Sequence, residues 1–238
     1  MPKGHPHNVN MSSSAADIRS ALLGRGDLAQ PFVTYLGPDG RVELSGASIA
    51  NASSKIANAL ALEFDLEPGD RVGLHLPWHW QRVAWLIGIW SAGLIVVPGG
   101  GEECDLLVAG PKEAEGLPGS VQVVSMHPLG MPLDATAMAQ LSPGLDDVTL
   151  AVRAQPDQQV MVDDHADQVA LDDLTQRQLL ERARSFASGH AHIRRMGIRQ
   201  GDSQWWLPAL WPLVTEGSIV MADPSAPDFG SEPVDATV

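Results

Sequence analysis

One stretch of this sequence has a near echo further along the chain. "LEPGDRVGLHLP" occupies residues 66–77, and "IRQGDSQWWLP" occupies residues 198–208, about 130 positions later. Each copy follows a helical pattern and precedes a second apolar segment, so the pair limits the fold more than any single motif does. From Ser45, a capping residue type, Ile49, Ala52, Ile56, Leu60 and Phe64 fall at helical spacing and predict a helix of about 18 residues. Leu66 to Asp70 turns out of it, and "RVGLHLP" reads as a strand stopped by Pro77. A helix from Gln81 to Ala92 buries Val83, Leu86, Ile87 and Trp90, and Gly93 ends it before the strand "LIVVP". Further on, Thr175 and Gln178 form a capping box, and Leu179, Ala183, Phe186, His190 and Ile193 mark a buried face, with Gly197 ending the helix. "RQGDSQWWLP" then predicts turn, strand and proline, "ALWPLVTEG" a shortened helix closed by Gly217, and "SIVMADP" the last strand.

Residues 44–98 and 174–224 thus read as two copies of one helix, strand, helix, strand module. Buried β-branched runs alternating with amphipathic helices build parallel sheets. The expected class is therefore α/β: two similar modules forming mostly parallel sheets with helices on both faces. A short N-terminal β-hairpin joins them, with strands at 32–36 and 41–44 around a Pro-Asp-Gly turn. "DLLVAG", "VQVVSM" and "DDVTLAV" (146–152) add further strands, and 127–144 is a Pro- and Gly-rich connection. The expected division is a disordered tail over 1–16, a first module with the central strands over 17–158, a second over 159–224, and a disordered acidic tail over 225–238.

The totals exclude several partners. With 15 basic against 29 acidic residues the formal charge is −14, which repels nucleic acid and anionic lipid. The single cysteine, Cys104, forms no internal disulfide and no thiolate metal site, which suits the cytoplasm. The start lacks the apolar core of a secretion signal. The uncharged run 83–97 would reach only about 22 Å as one helix, short of the roughly 30 Å hydrocarbon core. It contains Gly93 and is closed by Pro98, so a buried helix followed by a buried strand is expected, and no membrane association.

"EPGDRVGLHLP", "AWLIGIWSAG" and "LIVVP" in the first module, with "LTQRQLLERA" and "LPALW" in the second, resemble the large N-terminal domain of the adenylate-forming enzymes. These are the acyl-CoA synthetases, peptide-synthetase adenylation domains and luciferases. The resemblance covers roughly residues 31–224 and is more specific in the first module. More narrowly, the chain is similar to short bacterial proteins with this homology and no assigned activity.

The resemblance also implies a loop that is missing here. In that family a strand with an acidic start runs into a loop of Ser, Thr and Gly ending in Pro-Lys-Gly, which wraps the ATP phosphates. The matching strand is "DDVTLAV", and residues 154–174 after it hold no Ser, Thr, Gly or Lys. They hold six aspartates instead, at 157, 163, 164, 167, 172 and 173. Losing three or four charge-assisted hydrogen bonds, at about 1.5 to 3 kcal/mol each, would remove roughly 5 to 10 kcal/mol of phosphate binding. That is an affinity loss of about a thousandfold or more. The family's aromatic-Gly-x-Thr-Glu motif, ribose-binding aspartate and C-terminal lysine domain have no counterpart either.

Other motifs are weak. "PGGGEE", 98–103, lacks the endings of a P-loop or a dinucleotide loop and reads as a shortened connection. His5 with His7, and His190 with His192, are two-residue metal signals without carboxylate or cysteine partners. "GASIA", 46–50, is a poor nucleophile elbow, and Ser48 reads as a first-turn helix residue. No catalytic set, metal or cofactor is expected. The seven tryptophans are Trp78, Trp80, Trp85 and Trp90 in the first module and Trp205, Trp206 and Trp211 in the second. Core packing accounts for most of them. Trp211 stands where the resembled family often has a histidine or aromatic near its acyl pocket, so Trp205, Trp206 and Trp211 are the expected ligand-binding residues.

The leading expectation is a non-adenylating homologue, a cytoplasmic binding or regulatory protein that takes an apolar or acyl small molecule or a protein partner. The alternatives are an acyl-adenylate or CoA ligase completed by a partner chain, and a structural module that associates with itself as a homodimer through an exposed sheet edge.

Overall fold

Two mostly parallel sheets enclose a layer of helices, and the sequence pattern shows why each element forms. The computed structural model describes residues 16–38, 40–101, 103–199, 206–225, 229–230 and 232–238. Helix α1 (Ile18–Leu23) is capped by Asp17, whose carboxylate accepts from the Ser20 amide at 2.7 Å. The hairpin follows as β1 (Pro31–Gly37) and β2 (Gly40–Ser45); the centre of its expected turn, Asp39, lies outside the described residues. Ser45 caps α2 (Gly46–Leu62), accepting from the Ser48 amide at 3.2 Å. Next come β3 (Arg71–His75), α3 (Trp80–Ser91) capped by His79, and β4 (Ile95–Pro98). The middle of the chain supplies β5 (Leu106–Ala109), β6 (Val121–Val123), α4 (Ala135–Met138), β7 (Asp146–Asp147) and α5 (Thr149–Ala154). The rest forms β8 (Val169–Leu171), β9 (Leu174–Thr175), α6 (Gln176–Ser188), β10 (Arg195–Ile198), α7 (Trp206–Val214), β11 (Ser218–Ala222) and β12 (Ala236–Thr237).

One sheet has the order β12-β10-β11-β1-β2, and the other β7-β6-β5-β3-β4-β8-β9. Only the hairpins β1–β2 and β8–β9 are antiparallel, so the α/β class with mostly parallel sheets holds. The two modules do not share a sheet between their central strands: β3 pairs β4 in one, β10 pairs β11 in the other. Nor does the expected division near residue 158 separate the sheets. The first sheet takes β1 and β2 from the N-terminal half, and the second takes β8 and β9 from the C-terminal half.

Helix α3 touches β3 and β4 on one side and β1 on the other, which explains its near-complete burial. Its crossing with α2 is close. A Cβ added at Gly88 would lie 2.6 Å from Ile56 Cγ2 and 3.0 Å from the Ser53 carbonyl oxygen, so glycine is what lets the helices meet. The apolar run 83–97 is this helix and β4, as its Gly and Pro predicted. Among the described residues, no helix is long and apolar enough to cross a membrane.

Four expectations need correction. First, "DDVTLAV" is not a strand throughout. Only Asp146 and Asp147 pair, with β6, and the chain then turns into α5. Asp147 drives the turn, accepting from the Thr149 amide at 2.8 Å and the Leu133 amide at 2.7 Å. Second, the α6 helix ends at Ser188 and not at Gly197. Gly197 lies inside β10, with the Phe229 ring packed where its Cβ would be.

Third, the written echo is not a structural echo at its own register. The "PGD" turn precedes β3, but "QGD" comes after β10 in the chain, because the buried residues Met196 and Ile198 form the strand at 195–198. Residues 200–205 themselves lie outside the described residues. The order helix, strand, helix, strand is shared all the same.

Fourth, the segment expected to be a disordered tail is tied down at its far end. Ala236 and Thr237 pair with Met196 and Gly197. The Asp235 carboxylate accepts from the amides of Arg194 at 2.7 Å and Arg195 at 2.9 Å, which hold it below the usual carboxylate range. Glu232 is clasped by Arg41 and by Arg195, the latter at 2.5 Å.

Candidate functional site

A cavity of about 420 Å³ opens where α2, α3 and α5 meet the loop after β6. Its floor is apolar. Ile56 from α2, Trp85 and Ala84 from α3, Val124 after β6 and Val152 from α5 line it. Ile56, Ala84 and Trp85 are buried in the fold, yet each turns part of its surface to this space. The rim is polar: Ser48, Asn51 and Lys55 of α2 face Arg153 of α5 and Asp157 beyond it.

The rim has a defined geometry. Arg153 is exposed, and its Nη1 donates to the Gly130 carbonyl oxygen at 3.2 Å, linking α5 to the β6–α4 loop. Gly130 has φ +61, a left-handed conformation that costs glycine little. On the same loop, Trp80 Nε1 donates to the Pro128 carbonyl at 2.9 Å, and Gln81 Nε2 to the Ser125 carbonyl at 2.6 Å. The cavity's side walls are therefore pinned to α3.

Beside the cavity, the segment after α5 is strapped along α2. Lys55 Nζ donates to the carbonyls of Arg153 at 3.2 Å and Gln155 at 2.6 Å, and pairs with Asp157 at 3.0 Å. Asn58 Nδ2 donates to the carbonyls of Pro156 at 3.2 Å and Gln158 at 2.9 Å, and its Oδ1 accepts from the Val160 amide at 2.8 Å. The backbone polarity here is the reverse of an anion cradle. Such a cradle converges N–H groups on its ligand, whereas this strap turns carbonyl oxygens toward two donors of α2. Val160, Met161 and Val162 are left exposed at 59%, 54% and 50%.

A second polar cluster lies at the carboxyl end of β3. His79 is 3% exposed; its Nδ1 accepts from the Gln81 amide at 3.2 Å as the cap of α3, and its Nε2 has no hydrogen-bond partner among the described residues. Burial pushes its pKa down to about 4, against a smaller opposing pull from Asp223. The ring is neutral near pH 7 and stands edge-on to Tyr35 at 4.4 Å. Arg82 lies over the Trp78 ring at 6.0 Å, and burial lowers its pKa to about 10.

The expected ligand residues lie elsewhere. Trp206 and Trp211 belong to α7 and are 5% and 0% exposed, and neither lines the cavity. Trp205 lies outside the described residues. The tryptophans at the cavity are Trp80 and Trp85 of the first module. Sequence reasoning missed Lys55, Asn58 and Arg153. One signal was present for the first of these, since Lys55 is the sole charge in the 17-residue α2. The other expectations are simpler to place. Ser48 is an exposed first-turn residue, His190 stacks on Phe186 at 4.4 Å, and His5 and His7 lie outside the described residues.

Comparison with known proteins agrees with the sequence and the fold. Residues 26–100 match the model of the AMP-binding enzyme family. A "TIGR03089 family protein" of Mycobacterium tuberculosis is 33% identical over 144 residues, which is 56% of this chain and 57% of that protein. Among solved structures, ATP-bound MatB from Rhodopseudomonas palustris superposes with a TM-score of 0.65 at 14% identity, covering 87% of this chain and 45% of its own. A Mycobacterium tuberculosis fatty acyl CoA synthetase gives 0.62 at 14% identity, covering 89% and 45%. The coronafacic acid ligase of Pectobacterium brasiliense gives 0.67 at 13% identity, covering 87% and 46%. The chain spans about half the length of the relatives it matches. At these identities the likeness to the solved structures is one of fold.

Proposed function

We propose that this chain, a short relative of the N-terminal region of the adenylate-forming enzymes, is a binding or regulatory protein that does not itself form acyl-adenylates. One observation carries the reading: the strap in the place of the phosphate loop is built with the wrong polarity for a triphosphate. The stretch 154–174, of which the strap is the first part, holds six aspartates and no Ser, Thr, Gly or Lys. Of the cations that reach this stretch, Lys55 is engaged by two carbonyls and the Asp157 carboxylate, and Arg177 by the Asp167 carboxylate. A phosphate placed there would meet carboxylates where it needs donors, at an affinity loss of about a thousandfold or more.

The test has two arms. ATP-dependent pyrophosphate exchange with a panel of carboxylic acids should stay at background, and magnesium ATP should leave the thermal midpoint unmoved, since a ligand that prefers the folded state raises it. Exchange above background, or a midpoint that climbs with micromolar ATP, overturns the reading.

A further inference from the structure

We infer that two copies of this chain pair along β2, antiparallel and about a twofold axis at Val42, so that Arg41 of each copy faces Glu43 of the other. The inference goes beyond the proposed function and does not depend on it.

The edge is open and long enough to pair. Among the described residues β2 ends the five-stranded sheet with six residues, whereas the other terminal strands, β12, β7 and β9, have two each. The register fixes which backbone groups face outward. Gly37 pairs with Gly40 across a two-residue loop, and such a loop closes on a hydrogen-bonded pair. Antiparallel pairs then alternate between bonded and non-bonded. Tyr35 and Val42 therefore exchange hydrogen bonds, while Leu36 with Arg41 and Thr34 with Glu43 do not. The N–H and C=O groups of Arg41 and Glu43 thus point away from β1, to the side where the sheet ends.

One register satisfies both the backbone and the charges. An axis at Val42 sets Arg41 against Glu43 of the second copy, and Glu43 against its Arg41, as hydrogen-bonded pairs that each exchange both backbone bonds. An axis at Arg41 or at Glu43 would bring like charges face to face, and so would a parallel pairing in register. Charges on an edge strand ordinarily deter pairing. Here their order along the strand makes them self-complementary.

The surroundings favour a second copy as the occupant. On the outer face Arg41 pairs with Glu43 at 2.5 Å and with Glu232, and Arg195 pairs with Glu232 at 2.5 Å and with Glu43 at 3.5 Å. Arginines and glutamates balance there, on a chain whose formal charge of −14 otherwise drives copies apart. On the opposite face Val42 and Leu44 are partly buried against the core, and Val42 meets its own counterpart across the axis. Two six-residue strands bury less than the roughly 1,200 Å² of a stable interface, so the dimer is weak, with a dissociation constant of about 10 to 100 µM.

Sedimentation equilibrium of the full chain across roughly 1 to 300 µM, a range that spans that constant, tests the pairing. The parent is expected to pass from monomer to dimer. Arg41→Glu and Glu43→Arg each set like charges across the axis and should raise the dissociation constant about tenfold. An equimolar mixture of these two variants restores opposite charges in the mixed dimer alone, and should recover the association of the parent, which misfolding of either variant would not allow. Glu43→Pro removes an N–H that β1 does not use and should abolish association with the far-ultraviolet dichroism unchanged. A parent that stays monomeric throughout, single variants that associate like the parent, or a mixture no tighter than its components overturns the pairing. Pyrophosphate exchange bears on the proposed function alone and leaves this result untouched.

Discussion

Lys55 Nζ donates to the carbonyl oxygen of Gln155 at 2.6 Å, so the only charge on α2 holds down the segment that follows α5. Lys55→Met keeps the stem and removes the bonds. The expected cost is about 1 to 2 kcal/mol, since one partly buried and one exposed carbonyl lose a charged donor. Amide exchange over 155–162 should quicken while the sheets keep their protection. Unchanged exchange there would mean that Asn58 alone anchors the strap.

The His79 ring gives the fold a dependence on mild acid. Its pKa is about 4 in the folded chain and near 6.5 when exposed, so the unfolded state binds the extra proton between those values. Stability is full above pH 6.5 and falls as the pH drops toward 4, by up to about 3 kcal/mol. His75, also lowered chiefly by burial, acts in the same direction. His79→Asn keeps a capping side chain and should flatten most of the slope between pH 6.5 and 4.5. Denaturant midpoints measured across that window check it; a parent chain with no slope there refutes the burial of a neutral imidazole.

The contact between α2 and α3 leaves no room at Gly88. Gly88→Ala is expected to destabilise by about 1 to 3 kcal/mol, the clash with Ile56 outweighing alanine's better helix propensity. In an Ile56→Ala background the same change should cost less. A double-mutant cycle with no coupling would place the helices further apart than described here.

Trp211 is wholly buried, so Trp211→Ala should act as a core truncation and cost about 3 to 5 kcal/mol. A variant as stable as its parent would mean that the indole is not part of the packed core. Thermal and denaturant midpoints decide between the two.

The legible parts of this molecule were those written in local patterns. The Ser45 and Thr175 caps, the helical spacing of Ile49, Ile56 and Leu60, and the strands β1, β3, β4 and β11 stand where the sequence pattern put them. What could not be read depends on distant partners. Asp147 turns "DDVTLAV" into a helix by accepting the Leu133 amide, and β12 exists because its register on Met196 and Gly197 is available. The cavity was hidden for the same reason, since Ile56, Trp85 and Val152 come from three separate elements and only packing brings them together. The repeated "GD" misplaced β10 because a turn motif does not say which side its strand lies on.

The five-stranded sheet joins Val33 to Ile219 and, one strand further, Met196 to Ala236. A growing polypeptide emerging from the ribosome would thus carry the β1–β2 hairpin with one flank unpaired until β11 is synthesised, long after β3, β4 and β5 can assemble. The order of synthesis makes that hairpin flank the place where a chaperone would be needed most.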